Sequence, residues 1–430
     1  MTAGTIRDTT SRTELAEWQA GRLIDLLAEI VPANPFWTSK LADAGINPVS
    51  IRTIDDLTRL PFTTKSELAE DQQAHPPYGT NLTYPVTAYT RLHQTSGTTT
   101  GRPLRWLDTP ASWDWMLESW STIYRLAGLK REDRLCFPFS FGPFLGFWAG
   151  FEGASRQGNL CLAAGGMSSD ARLKLIFDNH VTWLGCTPTY ALRLAEAAKE
   201  QGIDVASSSV RCILVAGEPG GSISSVRSQI ATAWDARVID HWGMTEIGPL
   251  ASECEDDPDV LTVNESACIP EIIDPATGLP STDGRGELVI TNLGRIGSPL
   301  LRYRTGDLVE ADLTAHSSGR TWLRLRGGIL GRTDDMLIIR GNNVFPSSIE
   351  GIVRGFPSVA EFRIVVTRHR AMPHVRLELE PTPQADSKGL AESVAAAIKQ
   401  QLQFQAEVIS VPVGTLPRFE MKAKRLVRED

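Results

Sequence analysis

The sequence predicts a multidomain α/β protein: a large N-terminal part built from βαβ units with parallel strands, followed by a small α+β domain. Three observations carry this. Between residues 160 and 240, strand-like and helix-like segments alternate, the pattern of crossover connections between parallel strands. Beyond Gly248 the texture turns acidic, turn-rich and antiparallel in character. The tail then runs strand, strand, helix, strand within about 95 residues, a normal size for one domain. At 430 residues the chain is also too long for one ordinary core.

The elements follow in order. Residues 13–31 carry apolar positions at helical spacing after a Ser/Thr cap, and Pro32 and Pro35 end that helix. A short helix covers 36–43. Residues 54–68 read as two helical turns split at Leu60-Pro61, with Thr64 and Glu67 forming a capping box. Residues 86–93 read as a strand and 110–127 as a Trp-rich helix. A strand at 134–139 leads into an aromatic, glycine-studded stretch at 139–153. Its glycines at 142, 146, 150 and 153 suit close helix packing, and its aromatics suit either core or an apolar pocket. Strands at 160–164, 182–185, 211–216 and 237–240 then alternate with helices at 170–179, 190–201 and 222–234. Residues 255–284 read as turns, and 287–291, 302–303 and 322–326 as antiparallel strands. The tail places strands at 361–367, 374–380 and 406–412 around a helix at 386–402.

Composition narrows the function. Hydrophobic content of 42% and charged content of 22% are ordinary for a globular chain. A formal net charge of -8 argues against nucleic acid held by bulk electrostatics. No apolar run reaches the length of about 18 residues that a spanning helix needs. The first ten residues lack the pattern of a signal peptide. Six cysteines are sparse; those at 136, 161, 186 and 212 read as buried thiols of a reducing compartment, and the cytoplasm is the expected location.

The chemistry centres on Q-T-S-G-T-T-T-G-R-P, residues 94–103. Gly97 and Gly101 accept positive φ, so successive backbone N–H groups can form an anion-binding concavity. Ser96, Thr98, Thr99 and Thr100 add hydroxyls, and Arg102 adds charge. Polyphosphate suits such a loop. Walker-loop spacing is absent, and the same composition also fits a flexible surface linker. Two further motifs, Gly217-Glu218-Pro219 and Gly243-Met244-Thr245-Glu246, follow predicted parallel strands, where such folds place ligand loops.

Six ordered motifs together resemble the adenylate-forming (acyl-CoA synthetase-like) superfamily, within it the phenylacetate–CoA ligase group. They are T-S-G-T-T-T-G-R-P (95–103), A-G-E-P (216–219), D-H-W-G-M-T-E (240–246), Y-R-T-G-D-L (303–308), G-R-T-D-D-M-L-I-I-R-G-N-N-V-F-P-S-S-I-E (331–350) and P-R-F-E-M-K-A-K-R (417–425). Residues 34–65 are also similar to that group, so the likeness spans about 30–430. The resemblance implies an N-terminal adenylation domain at 1–331, a hinge at 332–336 and a mobile C-terminal domain at 337–430. It implies a two-step reaction: a carboxylate attacks the α-phosphate of ATP, and a thiol then takes the acyl group.

The resemblance also assigns residues. Thr95, Ser96, Gly97, Thr98, Thr99, Thr100 and Gly101 would cradle the β/γ-phosphates, where positioning and charge neutralisation matter most. Thr245 and Glu246 match the family hydroxyl and the Mg²⁺-binding carboxylate. Gly217, Glu218 and Pro219 would offer backbone to adenine, with His241, Trp242, Gly243 and Met244 lining the nucleotide. Asp307 matches the acceptor of the ribose hydroxyls. Arg332 matches the hinge-side arginine on the nucleotide, Asp334 the hinge and Lys422 the lysine that acts in the first step. Two departures stand out. The loop has one threonine more than the usual S-G-T-T-G, and Met421 stands where relatives usually have glycine. Cys254 and Cys268, with His241 or His316, fall short of a full zinc set.

Phe141, Gly142, Phe144, Phe147, Trp148 and Gly243 suggest a flat apolar pocket consistent with an aryl acid; the resemblance to the phenylacetate group makes a small aromatic acid the expected substrate, and a longer acyl chain stays open. ATP, Mg²⁺ and coenzyme A are the expected cofactors. A carrier protein, an amine or activation of nitrite stays open as an alternative, as does a homodimer. A catalytically inert nucleotide-binding regulator is the reading from another class, and Asp307, Glu246 and Lys422 speak against it.

Overall fold

The structure is a computed structural model that describes residues 6–95, 103–139, 141–314, 316–339, 342–369, 372–383, 385–419 and 425–429. The chain divides into two compact units. One joins Met1–Gly165 to Ile239–Gly328, and the other joins Gly166–Val238 to Ile329–Asp430.

The first unit opens with the helix Arg12–Ile30, started by a capping box between Ser11 and Glu14. A second capping box, Thr64 with Glu67, starts the helix Lys65–Ala74 as the sequence predicts. The expected strand at 86–93 is shorter. Val86–Ala88 is a 3-10 turn after Pro85, and only Arg91–Gln94 is extended. It pairs antiparallel with Arg105–Asp108, His93 facing Trp106, so the strand exists only where a partner supplies its hydrogen bonds.

The helix Pro110–Leu126 is capped by Thr109 and buries Trp113, Met116, Trp120 and Ile123. Gly146–Arg156 packs against it closely. A Cβ on Gly153 would lie 2.8 Å from Cβ of Trp120, and one on Gly150 would lie 3.2 Å from the same ring. The glycine spacing in this helix therefore serves backbone approach. Phe147 is buried between Phe137, Phe139 and Trp120. It is core and not pocket wall. The strands Arg134–Phe137 and Leu160–Ala163 pair in parallel. Leu160 is 57% exposed, and Cys161 is half-buried rather than buried.

Antiparallel ladders complete this unit. Arg237–Met244 pairs with Gly248–Cys254, which pairs with Asp257–Val263, which in turn pairs with Arg324–Arg326. Cys268–Ile273, Arg285–Asn292 and Tyr303–Glu310 form a second sheet. The segment 255–284, expected to be turn-rich, thus contains two strands, Asp257–Val263 and Cys268–Ile273, with turns around them. Asp257 and Asp259 lead into the buried run Val260–Val263, and the pairing overrides the weak strand preference of the aspartates.

In the second unit Trp183–Cys186 and Cys212–Val215 are parallel neighbours, with the helices Ser169–Asp178, Pro188–Glu200 and Ser224–Trp234. The tail of this unit is an α+β layer. A four-stranded sheet runs Glu407–Ser410, Met372–Pro381, Val359–His369, Leu426–Arg428, with antiparallel pairing at its centre and parallel pairing at both edges. The helices Pro346–Arg354 and Ser387–Leu402 cover it around a core that includes Ile349, Phe362, Leu377 and Val394. Among the described residues no helix is long and apolar enough to cross a membrane.

Candidate active site

The strand Tyr303–Glu310 organises the site in the first unit. Its buried residues alternate, so Tyr303, Thr305, Asp307 and Val309 share one face. Asp307 is 4% exposed and accepts a 2.8 Å hydrogen bond from Nε1 of Trp242. Its own N–H donates to Oγ1 of Thr305 at 3.1 Å. Tyr303 donates its hydroxyl to Oε1 of Glu246 at 3.4 Å. One strand thus holds Trp242 and Glu246, residues from two ends of the D-H-W-G-M-T-E motif.

The strand under that motif is longer than the sequence indicates. It runs Arg237–Met244, so Thr245–Ile247 form the turn. The register slips between Trp242 and Gly243, and a Cβ on Gly243 would lie 2.6 Å from the carbonyl oxygen of Gly248. Only glycine fits at that bulge. Glu246 is 2% exposed, and Oε1 stands 3.2 Å from Nζ of Lys65. His241 is separated from this group. It alternates to the other side of the strand, its ring centroid 4.5 Å from that of Trp120, and Nδ1 sits 2.8 Å from the carbonyl of Ala251. Burial drives its pKa down to about 4, against the pull of that hydrogen bond. His241 is thus buried among core groups, on the side of the strand away from Trp242.

A fully buried ion pair ties the Gly/Thr-loop hairpin to the turn. Arg295 binds Asp108 through two bonds of 2.7 Å, with both side chains 0% exposed. Its Nη1 donates to the carbonyls of Thr245 at 2.6 Å and Glu246 at 2.9 Å. Burial alone would raise the Asp108 carboxyl, but the Arg295 charge and the neighbouring His93 outweigh it and hold it below its ordinary value. Asp108 ends the second strand of the hairpin, and Thr95 closes the first. The Thr95 N–H donates to Leu104 O, and Leu104 N–H donates to Thr95 Oγ1, both at 3.0 Å. The loop is therefore clamped at its base. Ser96, Gly97, Thr98, Thr99, Thr100 and Gly101 themselves lie outside the described residues, as does Lys422.

Phe141, Gly142, Phe144 and Trp148 are half-buried. Phe141 meets Trp148 edge-on at 4.8 Å, and the Trp148 indole N–H donates to Gly142 O at 3.0 Å. Cys254 and Cys268 are buried, bonded to Thr262 Oγ1 and to Asn264 O, and their thiols are pushed up by burial. His316 instead bonds Ser318. Among the described residues no group of three His, Cys, Asp or Glu converges as a metal site.

In the second unit Gly217 takes φ +93 after the strand Cys212–Val215, and the Glu218 carboxylate accepts the backbone N–H of Thr189 at 2.9 Å. Pro219 follows at an exposed position. Arg332 grips Asp334 through both carboxylate oxygens, at 2.9 and 3.1 Å. Lys65, Tyr303, Arg295 and Asp108 are the contributors sequence reasoning missed. Lys65 closes L-P-F-T-T-K and Tyr303 opens Y-R-T-G-D-L, so both lay inside stretches that resemble the family. Arg295 and Asp108 carried no motif.

The fold and this carboxylate-lined site define a nucleotide-dependent enzyme with a separate C-terminal α+β domain. The AMP-binding enzyme family matches residues 56–294, and the AMP-binding enzyme C-terminal domain matches 341–429. This chain belongs to the AMP-binding, adenylate-forming enzymes, in the phenylacetate–CoA ligase group. A phenylacetate–coenzyme A ligase of Thermus thermophilus is 32% identical, covering 96% of each chain. One from Escherichia coli is 31% identical over 97% of this chain and 96% of its own. Among solved structures, a 2-hydroxyisobutyryl-CoA ligase with 2-HIB-AMP in its postadenylation state has TM-score 0.90 at 27% identity. It covers 100% of this chain and 95% of its own. That ligase with 2-HIB-AMP and CoA in its thioesterification state has TM-score 0.74 at 28% identity, with the same coverage.

Proposed function

We propose that this protein activates a small aromatic carboxylic acid with ATP and passes the acyl group to coenzyme A. A carboxylate oxygen bonds to the α-phosphorus while the bond to pyrophosphate breaks, giving an acyl-adenylate. The coenzyme A sulfur, having lost its proton, then bonds to the acyl carbon and AMP leaves. The observation that carries the reading is the single strand face that brings Asp307 to Trp242 and Tyr303 to Glu246. A buried acceptor for a vicinal diol and a carboxylate for a hard cation are thereby both tied to one strand.

Each residue has a role in this reading. Thr95 and the loop Ser96–Gly101 hold the β/γ-phosphates, and Asp307 takes the ribose hydroxyls. Gly217, Glu218, Pro219, Trp242, Gly243 and Met244 frame the base, and Arg332 steadies the nucleotide. Thr245 and Glu246 suit Mg²⁺, because Glu246 offers a buried oxygen donor. The bound ion supplies charge withdrawal from the leaving pyrophosphate. Lys65, 3.2 Å from Glu246, balances that carboxylate's charge. Lys422 stabilises negative charge at the α-phosphate during the first step only. Asp334 lies in a hinge at 332–336 between domains at 1–331 and 337–430. Phe141, Gly142, Phe144 and Gly243 shape the acid pocket. The chain's six cysteines are free thiols, which suits a cytoplasmic protein.

The test is pyrophosphate release with Mg·ATP and a panel of aryl acids, with and without coenzyme A. Release that needs one acid and turns over repeatedly only with coenzyme A is the expected result. A single turnover despite coenzyme A would move the acceptor to a carrier protein or an amine. No release with any acid overturns the aromatic-acid reading.

A further inference from the structure

The second unit contains a buried charge cluster that the two chemical steps do not use. Arg425 is 8% exposed and lies three residues after Lys422. Nε and Nη2 donate to the two oxygens of Glu361 at 2.7 and 3.1 Å, and Nη1 donates to Glu350 at 3.1 Å. A guanidinium has five N–H donors, and these carboxylates take three. Nη1 and Nη2 also reach Oγ1 of Thr189, at 3.3 Å each.

The partners fall into two classes. Glu350 and Glu361 belong, with Arg425, to the segment that matches the AMP-binding enzyme C-terminal domain. Thr189 belongs to the helix Pro188–Glu200 of the 166–238 segment, and its backbone N–H holds Glu218 of the A-G-E-P motif. Two more bonds join the same pieces. Ser225 Oγ donates to Gly351 O at 2.9 Å, and Gln229 donates to Arg354 O. A Cβ on Gly351 would already stand 3.5 Å from Ile223, so the helices meet closely. Burial pushes the Glu350 carboxyl up despite Arg425 and Arg354, and Glu218 and Glu361 add to that push. Arg354 is a second cation of the cluster, 3.2 Å from Glu361, and the Arg425 guanidinium bonds to groups on both sides of it.

We propose that Arg425 is a positioning residue for the adenylate-forming step: its bonds to Thr189, with Ser225 on Gly351, latch the C-terminal domain to the 166–238 segment, and the latch opens before thiol transfer. The inference rests on the two-step reading above. Three residues of chain span at most about 10 Å, so holding Arg425 confines Lys422 to that radius. Releasing Thr189 leaves the bonds to Glu350 and Glu361 intact, which is what a reversible contact between rigid pieces requires.

Thr189→Val removes the hydroxyl at constant volume, and Thr189→Ser restores it. The two half-reactions are read separately: ATP–pyrophosphate exchange, and thioester formation from purified acyl-adenylate and coenzyme A. Thr189→Val is expected to lower exchange kcat about tenfold, the scale of one hydrogen bond to a charged group, with thioester formation undiminished. Thr189→Ser is expected to match the wild type. Spin labels at Lys174→Cys and Glu392→Cys, both exposed positions, are expected to report one distance in the wild type and a second population in Thr189→Val. Unchanged exchange, or equal losses in both half-reactions, overturns the latch. A wild type that exchanges with no acid overturns the proposed reaction instead. The label distances then decide the latch, and an unaltered distribution in Thr189→Val overturns it.

Discussion

Replacing Arg295 by Met tests whether the buried pair with Asp108 is a coupled unit. The change leaves the Asp108 carboxylate at 0% exposure without its bidentate partner, a cost of about 3–5 kcal/mol. It also removes the donor to the carbonyls of Thr245 and Glu246, each worth about 1–3 kcal/mol when desolvated and unmade. Asp108→Leu strands the guanidinium instead, again about 3–5 kcal/mol. The double variant carries no buried charge at this position, so it loses only the carbonyl bonds, about 2–5 kcal/mol. The single changes should therefore sum to more than the double by about 6–10 kcal/mol, the two stranded-charge costs together. Urea unfolding of the four proteins at a common m-value measures this. Single costs that add to the double within about 0.5 kcal/mol would refute the coupling.

Three other outcomes are expected. His241 has its folded pKa lowered to about 4, while the unfolded chain binds the proton near 6.5. Its stability contribution is complete above about pH 6.5 and falls by about 1.4 kcal/mol per pH unit toward pH 4. His241→Phe should flatten that slope in a pH series of unfolding midpoints. Trp242→Phe deletes the 2.8 Å bond to Asp307 and should raise KM for ATP about tenfold with kcat little changed. An unchanged KM would mean that Trp242 does not orient the ribose acceptor. Gly153→Val forces branched carbons to where even a Cβ would lie 2.8 Å from Trp120, costing about 1–3 kcal/mol. A lower thermal midpoint without loss of ATP affinity is the expected signature.

Much of this protein was legible in one dimension because its signals are local. The capping box at Thr64 involves residues three apart, and the alternation from 160 to 240 needs only periodicity. The expectations for the Gly/Thr loop, the T-E turn and Asp307 came from a signal of the same local kind, because backbone anion sites and charged ligands need particular residue types at short spacing. The strands at 257–263 and 268–273 were not, since acidic residues become strand only when a neighbouring ladder pairs them.

The sequence by itself determined the α/β class, the order of motifs and the candidates for nucleotide chemistry. Tertiary structure alone decided which face each candidate takes. It turned Trp242 toward Asp307 and His241 toward Trp120 by strand alternation. It joined Arg295 to an aspartate 187 positions earlier, and Arg425 to Thr189 across 236 positions. Pairing at such separation leaves no local pattern. It arises only when burial removes water and leaves a distant opposite charge or a distant hydroxyl as the available partner.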